Sequence, residues 1–264
     1  PDKATYYAKL AASVSHDGEA IYGAQVIAAL ESMAFVEHDL TKLVEQAKKF
    51  IPDNSVIYKL ISDIQEWRSR NLDWKQAREK IVENYGYDKY LGNCHMVPNH
   101  ALIIMALLFG DDNFQKTMMI VNTAGWDTDC NSGNVGCILG IKNGIEGLKS
   151  GPDYLSPIND ILYCPSASGG ETLTDALTET YKIINTTRKI NGLEENLPKN
   201  GARFHFDIKD STQGWRTRVG NNFCETKISN VEYKSSLGER GLNISYKNHS
   251  EDLNSEVYVE TFFP

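Results

Sequence analysis

The sequence predicts a mainly α protein: an all-helical bundle over residues 1–197, followed by a β-sandwich-like segment over residues 198–264. Three observations carry this. Apolar residues in the first part recur at three- and four-residue spacing, as in Ile21, Ala24 and Ala28, or Leu40, Leu43, Val44 and Ala47, the period of a helix with one buried face. Beyond Pro198-Lys199-Asn200-Gly201 the pattern shortens to alternation, which is the period of a strand. The 264 residues are 41% hydrophobic and 23% charged, an ordinary globular composition with length for one large or two small domains.

Taken in order, the apolar spacing predicts helices over 3–14, 18–36, 54–70, 73–84, 98–109, 113–123, 128–141 and 172–191, with a shorter one around Leu40 to Ala47. Their joints carry stop and start signals: Pro52-Asp53-Asn54, Gly86, Gly110-Asp111-Asp112 and Gly151-Pro152. Gly169-Gly170-Glu171-Thr172 precedes the last helix and Asn191-Gly192 ends it. Trp67 and Trp74, with Arg68, Arg70 and Arg78, read as amphipathic helix residues whose charges reach back to water. In the β part, Phe204, Phe206 and Ile208 alternate with Arg203, His205, Asp207 and Lys209; Leu242, Ile244 and Tyr246 repeat the pattern, as do Val257, Val259 and Thr261. Four or five strands are fewer than the roughly seven of a sandwich, so the β part is expected to be incomplete.

Composition excludes several function classes. No apolar run reaches the roughly 18 residues that span a bilayer. A formal charge of −8 and a pI near 5.3 argue against a nucleic-acid partner, which calls for clustered Lys and Arg. The acidity belongs to the helical part: residues 200–264 carry a net charge of −1 and residues 1–199 a net charge of −7, most of it expected on solvated helix faces. Five cysteines, at 94, 130, 137, 164 and 224, form no CxxC pair; their odd, sparse count points to reduced thiols, a cytosolic setting and burial as small hydrophobes. The chain opens on Pro1 with no signal-peptide pattern, and reads as processed or excised. P-loop, dinucleotide-binding, zinc-ligand and nucleophile-elbow patterns are absent.

The most informative stretch runs from Gly125-Trp126-Asp127-Thr128-Asp129-Cys130-Asn131 to Gly140. Two carboxylates at i and i+2, where a helix begins, can converge on a hard divalent cation, and free N–H groups there favour an anion such as a diphosphate. A cap would need one Asp, and the second carboxylate and the polar Asn131, Ser132 and Asn134 exceed it. On residue types alone both readings stand. Gly133, Gly136 and Gly140 remove side chains at near-helical spacing, permitting close approach of a helix or a ligand.

Gly-Trp-Asp-Thr-Asp-Cys-Asn resembles the C-terminal metal motif of the ADP-ribosylglycohydrolase family, usually Gly-x-Asp-Thr-Asp-Thr. Val14-Ser15-His16-Asp17-Gly18 resembles its Thr/Ser-His motif, and Val97-Pro98-Asn99-His100-Ala101 its Val-Pro-x-Ala helix. The resemblance covers about residues 4–150, moderately to 190, and excludes the β part. It implies an all-helical domain, Asp127 and Asp129 as ligands of Mg²⁺, two ions in a complete domain, and Ser15, His16, Gly125 and Asn131 near a bound ADP-ribose, free or protein-linked. No catalytic residue is assigned. Cys130 stands where the family usually has a Thr ligand, and a thiol suits Mg²⁺ poorly. His95 and His100, which flank Pro98, are read as capping or packing residues.

The family's Gly-Asp-x-x-Gly segment, catalytic Glu and Thr-Asp-Asp ligands have no counterpart in these residues, so the chain is expected to be the second half of a catalytic domain, with little hydrolysis by itself. The implied activity is Mg²⁺-dependent cleavage of a glycosidic bond at the ribose anomeric carbon. Two alternatives accompany it. One is a non-catalytic module binding ADP-ribose or a nucleotide. The other is a glycan-directed hydrolase whose β segment binds carbohydrate through an exposed Trp215 or Tyr233.

Overall fold

The helix over Met96–Phe109, α6 below, is apolar apart from Asn99 and His100, and residues 97–110 are buried without interruption. A helix hydrophobic all round has to sit at the centre of a bundle. The computed structural model, which describes residues 1–90, 92–164, 172–218, 224–236, 238–248 and 254–261, places it there. The chain divides into two compact units, Pro1–Pro152 and Asp153–Pro264; the compositional change near residue 198 falls inside the second.

The first unit is α1 (Asp2–Ala12), α2 (Gly18–Ala34), α3 (Leu40–Ala47), α4 (Val56–Ser69), α5 (Trp74–Tyr85), α6, α7 (Phe114–Thr123) and α8 (Thr128–Leu148). Helix α6 packs on α2, α3, α4, α5, α7 and α8. Side-chain caps set the starts: Asp39 accepts from Thr41 N and Lys42 N, Ser55 from Tyr58 N, Asn113 from Lys116 N, and Asp73 forms a reciprocal capping box with Gln76. Each satisfies a backbone donor that the first turn leaves open. The α4 start has a second acceptor from α2, because the Glu19 carboxylate takes the N–H groups of Val56 and Ile57 at 3.0 and 2.9 Å. Helix α8 runs past its expected end at 141, with a break at Gly144, whose φ is +63°.

The glycines that permit close packing are not Gly133, Gly136 and Gly140 of α8. A Cβ on Gly133 or Gly140 would meet nothing within 4 Å, and on Gly136 only Met118 at 3.9 Å. At Gly23 it would overlap Met96 Cε at 2.1 Å, and at Gly110 Thr117 Oγ1 at 1.8 Å. Close approach is thus built between α2 and α6 and at the α6–α7 joint.

In the second unit, β1 (Ile161–Tyr163) pairs antiparallel with β2 (Leu173–Asp175), which leads into α9 (Ala176–Ile190). Residues 173–175, expected as the first turn of a helix, are this strand. Asp175 then caps α9, accepting from Thr178 N at 2.9 Å. The Gly169-Gly170-Glu171 signal lies outside the described residues. Strands β3 (Arg216–Thr217) and β6 (Val257–Tyr258) pair, as do β4 (Cys224–Ser235) and β5 (Gly238–Asn248). Among the described residues no sheet exceeds two strands.

The alternating segment 203–209 is not a strand. Phe206 has φ +53°, and the N–H groups of His205 and Phe206 both donate to the Gln213 side-chain carbonyl at 2.8 Å. The Asn230 amide donates to the carbonyls of Phe206, Ile208 and Ser211. Two side-chain amides thus do what a neighbouring strand would do. The alternation reflects packing instead, with Phe204 edge-on to Trp215 at 5.5 Å.

Candidate metal and ligand site

The turn that carries the two aspartates is held from three sides. Gly125 has φ +87° and Trp126 φ +60°, left-handed backbone that Trp adopts only when its surroundings over-determine it. The Trp126 ring stacks on Tyr87 at 5.0 Å with a 13° interplanar angle. On it lies the Arg78 guanidinium, 4.2 Å from the ring centroid. Arg78 Nε also donates to the Ala124 carbonyl at 2.6 Å. Arg78 therefore turns inward, contrary to the solvent-reaching role expected for it, and burial lowers its pKa. From below, Asn99 of α6 accepts the Asp127 N–H at 3.2 Å and the Asn131 amide at 3.0 Å. Asn99 in turn donates to Tyr87 Oη at 2.6 Å and the His95 carbonyl at 3.0 Å.

This frame frees the Asp127 carboxylate. Asp127 stands at the N-cap of α8 yet makes no side-chain capping bond, so the simple capping role is not the one it plays. Ligand atoms of Asp127, Asp129 and Cys130 lie within 4.8 Å of one another. The Asp129 carboxyl is lowered by its hydrogen bond with Asp127 and by backbone donors. The Cys130 thiol is raised by its hydrogen bond to Asp127 and then by the charge there; the Cys94 thiol is raised first by the Asp127 charge and then by burial. Cys94, Cys130, Cys137 and Cys164 are free and exposed, so the expected burial of cysteines as small hydrophobes does not hold for these four.

Asp127 and Cys130 open on a cleft of about 510 Å³ between α2, α6 and α8, whose lining also includes His16, Glu31, Asn131 and Asn134. Ala20, Ala24 and Ala28 supply an apolar wall. Ser15 is outside the lining but reaches the cleft through His16, its Oγ lying 2.7 Å from His16 Nδ1. Gly125 stays in the turn, next to Arg78. Asn131 is almost wholly buried, its amide spent on Asn99. Ser132 ties α8 to α7 through Asn122, so part of the polar series is structural.

His95 caps α6, its Nδ1 accepting from Val97 N at 3.2 Å, as expected. His100 is fully buried with neither ring nitrogen hydrogen-bonded, and burial lowers its pKa to about 4; it also contributes to the cleft wall. Sequence reasoning passed over Asn99, Arg78, Glu31 and Cys94. Asn99 had a visible signal, because it and His100 are the only polar residues of α6 between Val97 and Phe109.

In the second unit, Trp215 is half-buried against Phe204, while Tyr233 is exposed. Tyr233 thus has the exposure that the carbohydrate reading asked of either ring, and Trp215 does not. No helix among the described residues is long and apolar enough to cross a membrane.

No curated protein and no solved structure matches the chain. The family model described as ADP-ribosylglycohydrolase matches residues 1–186, a stretch that includes the Ser15-His16 segment, α6 and the Asp127 turn. The chain belongs to the ADP-ribosylglycohydrolase family.

Proposed function

We propose that the cleft beside Asp127 binds the ADP-ribose part of an ADP-ribosylated substrate, and that the protein acts in divalent-cation-dependent hydrolysis of the bond at the ribose anomeric carbon. The observation that carries this reading is the Asp127 carboxylate, relieved of any capping bond and held beside Asp129 at the edge of the cleft. The two carboxylates fit a hard cation, Mg²⁺ on the family's pattern, and Cys130 is the one member of the group that does not. When bound, such a cation supplies positive charge that polarises the ribose side of the substrate or a water.

The chain's own residues do the rest of the positioning. Asn99 holds the Asp127 backbone and Asn131 in place. Ser15 engages His16 Nδ1, which leaves Nε2 as the ring nitrogen for a ligand hydroxyl or phosphate. The Ala20, Ala24 and Ala28 wall and Ile103 give an apolar surface of the kind that lines nucleotide pockets. No side chain is assigned as the general acid or base.

A second reading, a non-catalytic ADP-ribose-binding module, is favoured by Cys130 in the position of an oxygen ligand. Calorimetry with ADP-ribose, with and without Mg²⁺, set beside turnover of an ADP-ribosylated substrate by the full-length protein, separates the two. Binding with turnover that Asp127→Asn and Asp129→Asn both abolish supports the hydrolase. Binding without turnover supports the module, and absence of ADP-ribose binding removes both.

A further inference from the structure

Two thiols line the cleft on which the carboxylate of the metal reading opens. Cys130, in the first turn of α8, places its sulfur within 4.8 Å of ligand oxygens of Asp127 and Asp129. Cys94, in the segment before α6, adopts φ +55° and lines the same cleft as Asp127, whose charge raises its thiol pKa. Both line the cleft and both are exposed, so neither acts as a small buried hydrophobe. The ligand atoms gathered at Asp127 are thus those of two carboxylates and one sulfur, with Cys94 on the wall of the same cleft. His100, buried and without a hydrogen-bond partner, stands in the wall of the same cleft.

Donor chemistry decides which ion this set suits. Mg²⁺ demands near-octahedral oxygen and gains little from sulfur. Mixed carboxylate and thiolate ligands suit a borderline ion that accepts four-coordinate geometry, of which Zn²⁺ is the type. We propose that Cys130 makes this site select Zn²⁺ or a similar borderline divalent ion over Mg²⁺. The inference rests on the reading that Asp127 and Asp129 hold a cation, and differs from it in the ion. When the ion binds, the Cys130 S–H bond breaks, its proton passes to solvent and a sulfur–metal bond forms, with no change of oxidation state.

The test is Co²⁺ titration of the full chain under reducing conditions, because Co²⁺ reports a sulfur ligand by a near-ultraviolet charge-transfer band. The band is expected to appear, to be abolished by one equivalent of Zn²⁺, and to resist Mg²⁺ until that ion is in roughly 100-fold excess or more. Cys130→Thr is expected to lose the band and to narrow the preference over Mg²⁺ by at least about tenfold. Cys94→Ala, which removes a sulfur outside the Asp127, Asp129 and Cys130 group, keeps the band. Cys137→Ser and Cys164→Ser leave all of this unchanged, and circular dichroism checks that each variant is folded.

Co²⁺ bound without a sulfur band, a band that survives Cys130→Thr, or displacement by equimolar Mg²⁺ overturns the inference. If Mg²⁺ binding is then still lost in Asp127→Asn, the cation reading itself stands. If none of the three ions binds, both readings fall together.

Discussion

Replacing Asn99 by Ala tests the frame beneath the metal turn. The side chain is 6% exposed and makes four hydrogen bonds: it accepts from Asp127 N–H and Asn131 Nδ2, and donates to Tyr87 Oη and the His95 carbonyl. Two of those partners have an alternative, since the Tyr87 hydroxyl can turn and His95 is half-exposed. The Asn131 amide, 1% exposed, has none, and the Asp127 N–H is part-buried. Leaving a buried polar group unpaired costs about 1–3 kcal/mol, and a recoverable bond about 1 kcal/mol. The expected loss is therefore about 3–4 kcal/mol. Urea unfolding followed by Trp fluorescence measures it, with Trp126 stacked against Tyr87 in the same cluster. The midpoint should fall with an unchanged slope, and Mg²⁺ or Co²⁺ affinity should fall with it, because the Asp127 backbone is no longer pinned. Asn99→Asp keeps an acceptor for both N–H groups and should retain more of the metal affinity than Ala does. Asn99→Ala within about 0.5 kcal/mol of the parent, with metal affinity intact, would show that the turn is held by Arg78 and Trp126 alone.

Arg78→Ala removes the bond to the Ala124 carbonyl and the cation–π contact with Trp126; a loss of about 1–3 kcal/mol, with a change in Trp emission and weaker ADP-ribose binding by calorimetry, is expected. Arg78→Lys should recover only part of it. Gly110→Ala forces a Cβ onto Thr117 Oγ1 at 1.8 Å and should cost about 1–3 kcal/mol, whereas Gly133→Ala, with nothing within 4 Å, should gain up to about 1 kcal/mol; thermal melts that rank the two in the opposite order would refute the packing assignment. His100, with a pKa near 4 in the fold against about 6.5 unfolded, stays neutral where the unfolded chain takes up a proton, so stability is full above about pH 6.5 and falls as pH drops toward 4, by on the order of 3 kcal/mol. His100→Leu should flatten that limb and cost little at pH 7, where neither nitrogen has a partner to lose; parallel pH profiles for the two proteins would rule this out.

Helices α3, α4, α5 and α7 were legible because each has both a period and a punctuation mark. Leu40, Leu43, Val44 and Ala47 repeat on one face, and Asp39, Ser55, Asp73 and Asn113 stand where a donor-poor first turn wants an oxygen. The β part was less legible for a physical reason. Alternation at Phe204, Phe206 and Ile208 reports only that neighbouring residues face different surroundings, and it holds whether the backbone's partners are another strand or, as here, the amides of Gln213 and Asn230. Those amides come from residues up to 24 positions away, and nothing local in the sequence connects them.

The candidate site divides along the same line. Asp127, Asp129 and Cys130 are three neighbours in one turn, so their spacing alone brings the donors together. What sets the direction of the donors comes from α5 and α6: Arg78, 46 residues from the carbonyl it holds, and Asn99, 28 residues from the N–H it accepts. A local motif therefore names the chemistry, while distant residues decide whether the motif caps a helix or presents its carboxylates to a ligand. In this chain Asn99 pins the Asp127 backbone, and the Asp127 side chain makes no capping bond and lines the cleft. The same long-range frame bears on the cysteines. Cys94 precedes the helix that supplies Asn99, and it lines the cleft on which Asp127 and Cys130 open. A sequence pattern records one sulfur in the turn, and only the packing of α6 against α8 brings the segment of the second to the same cleft.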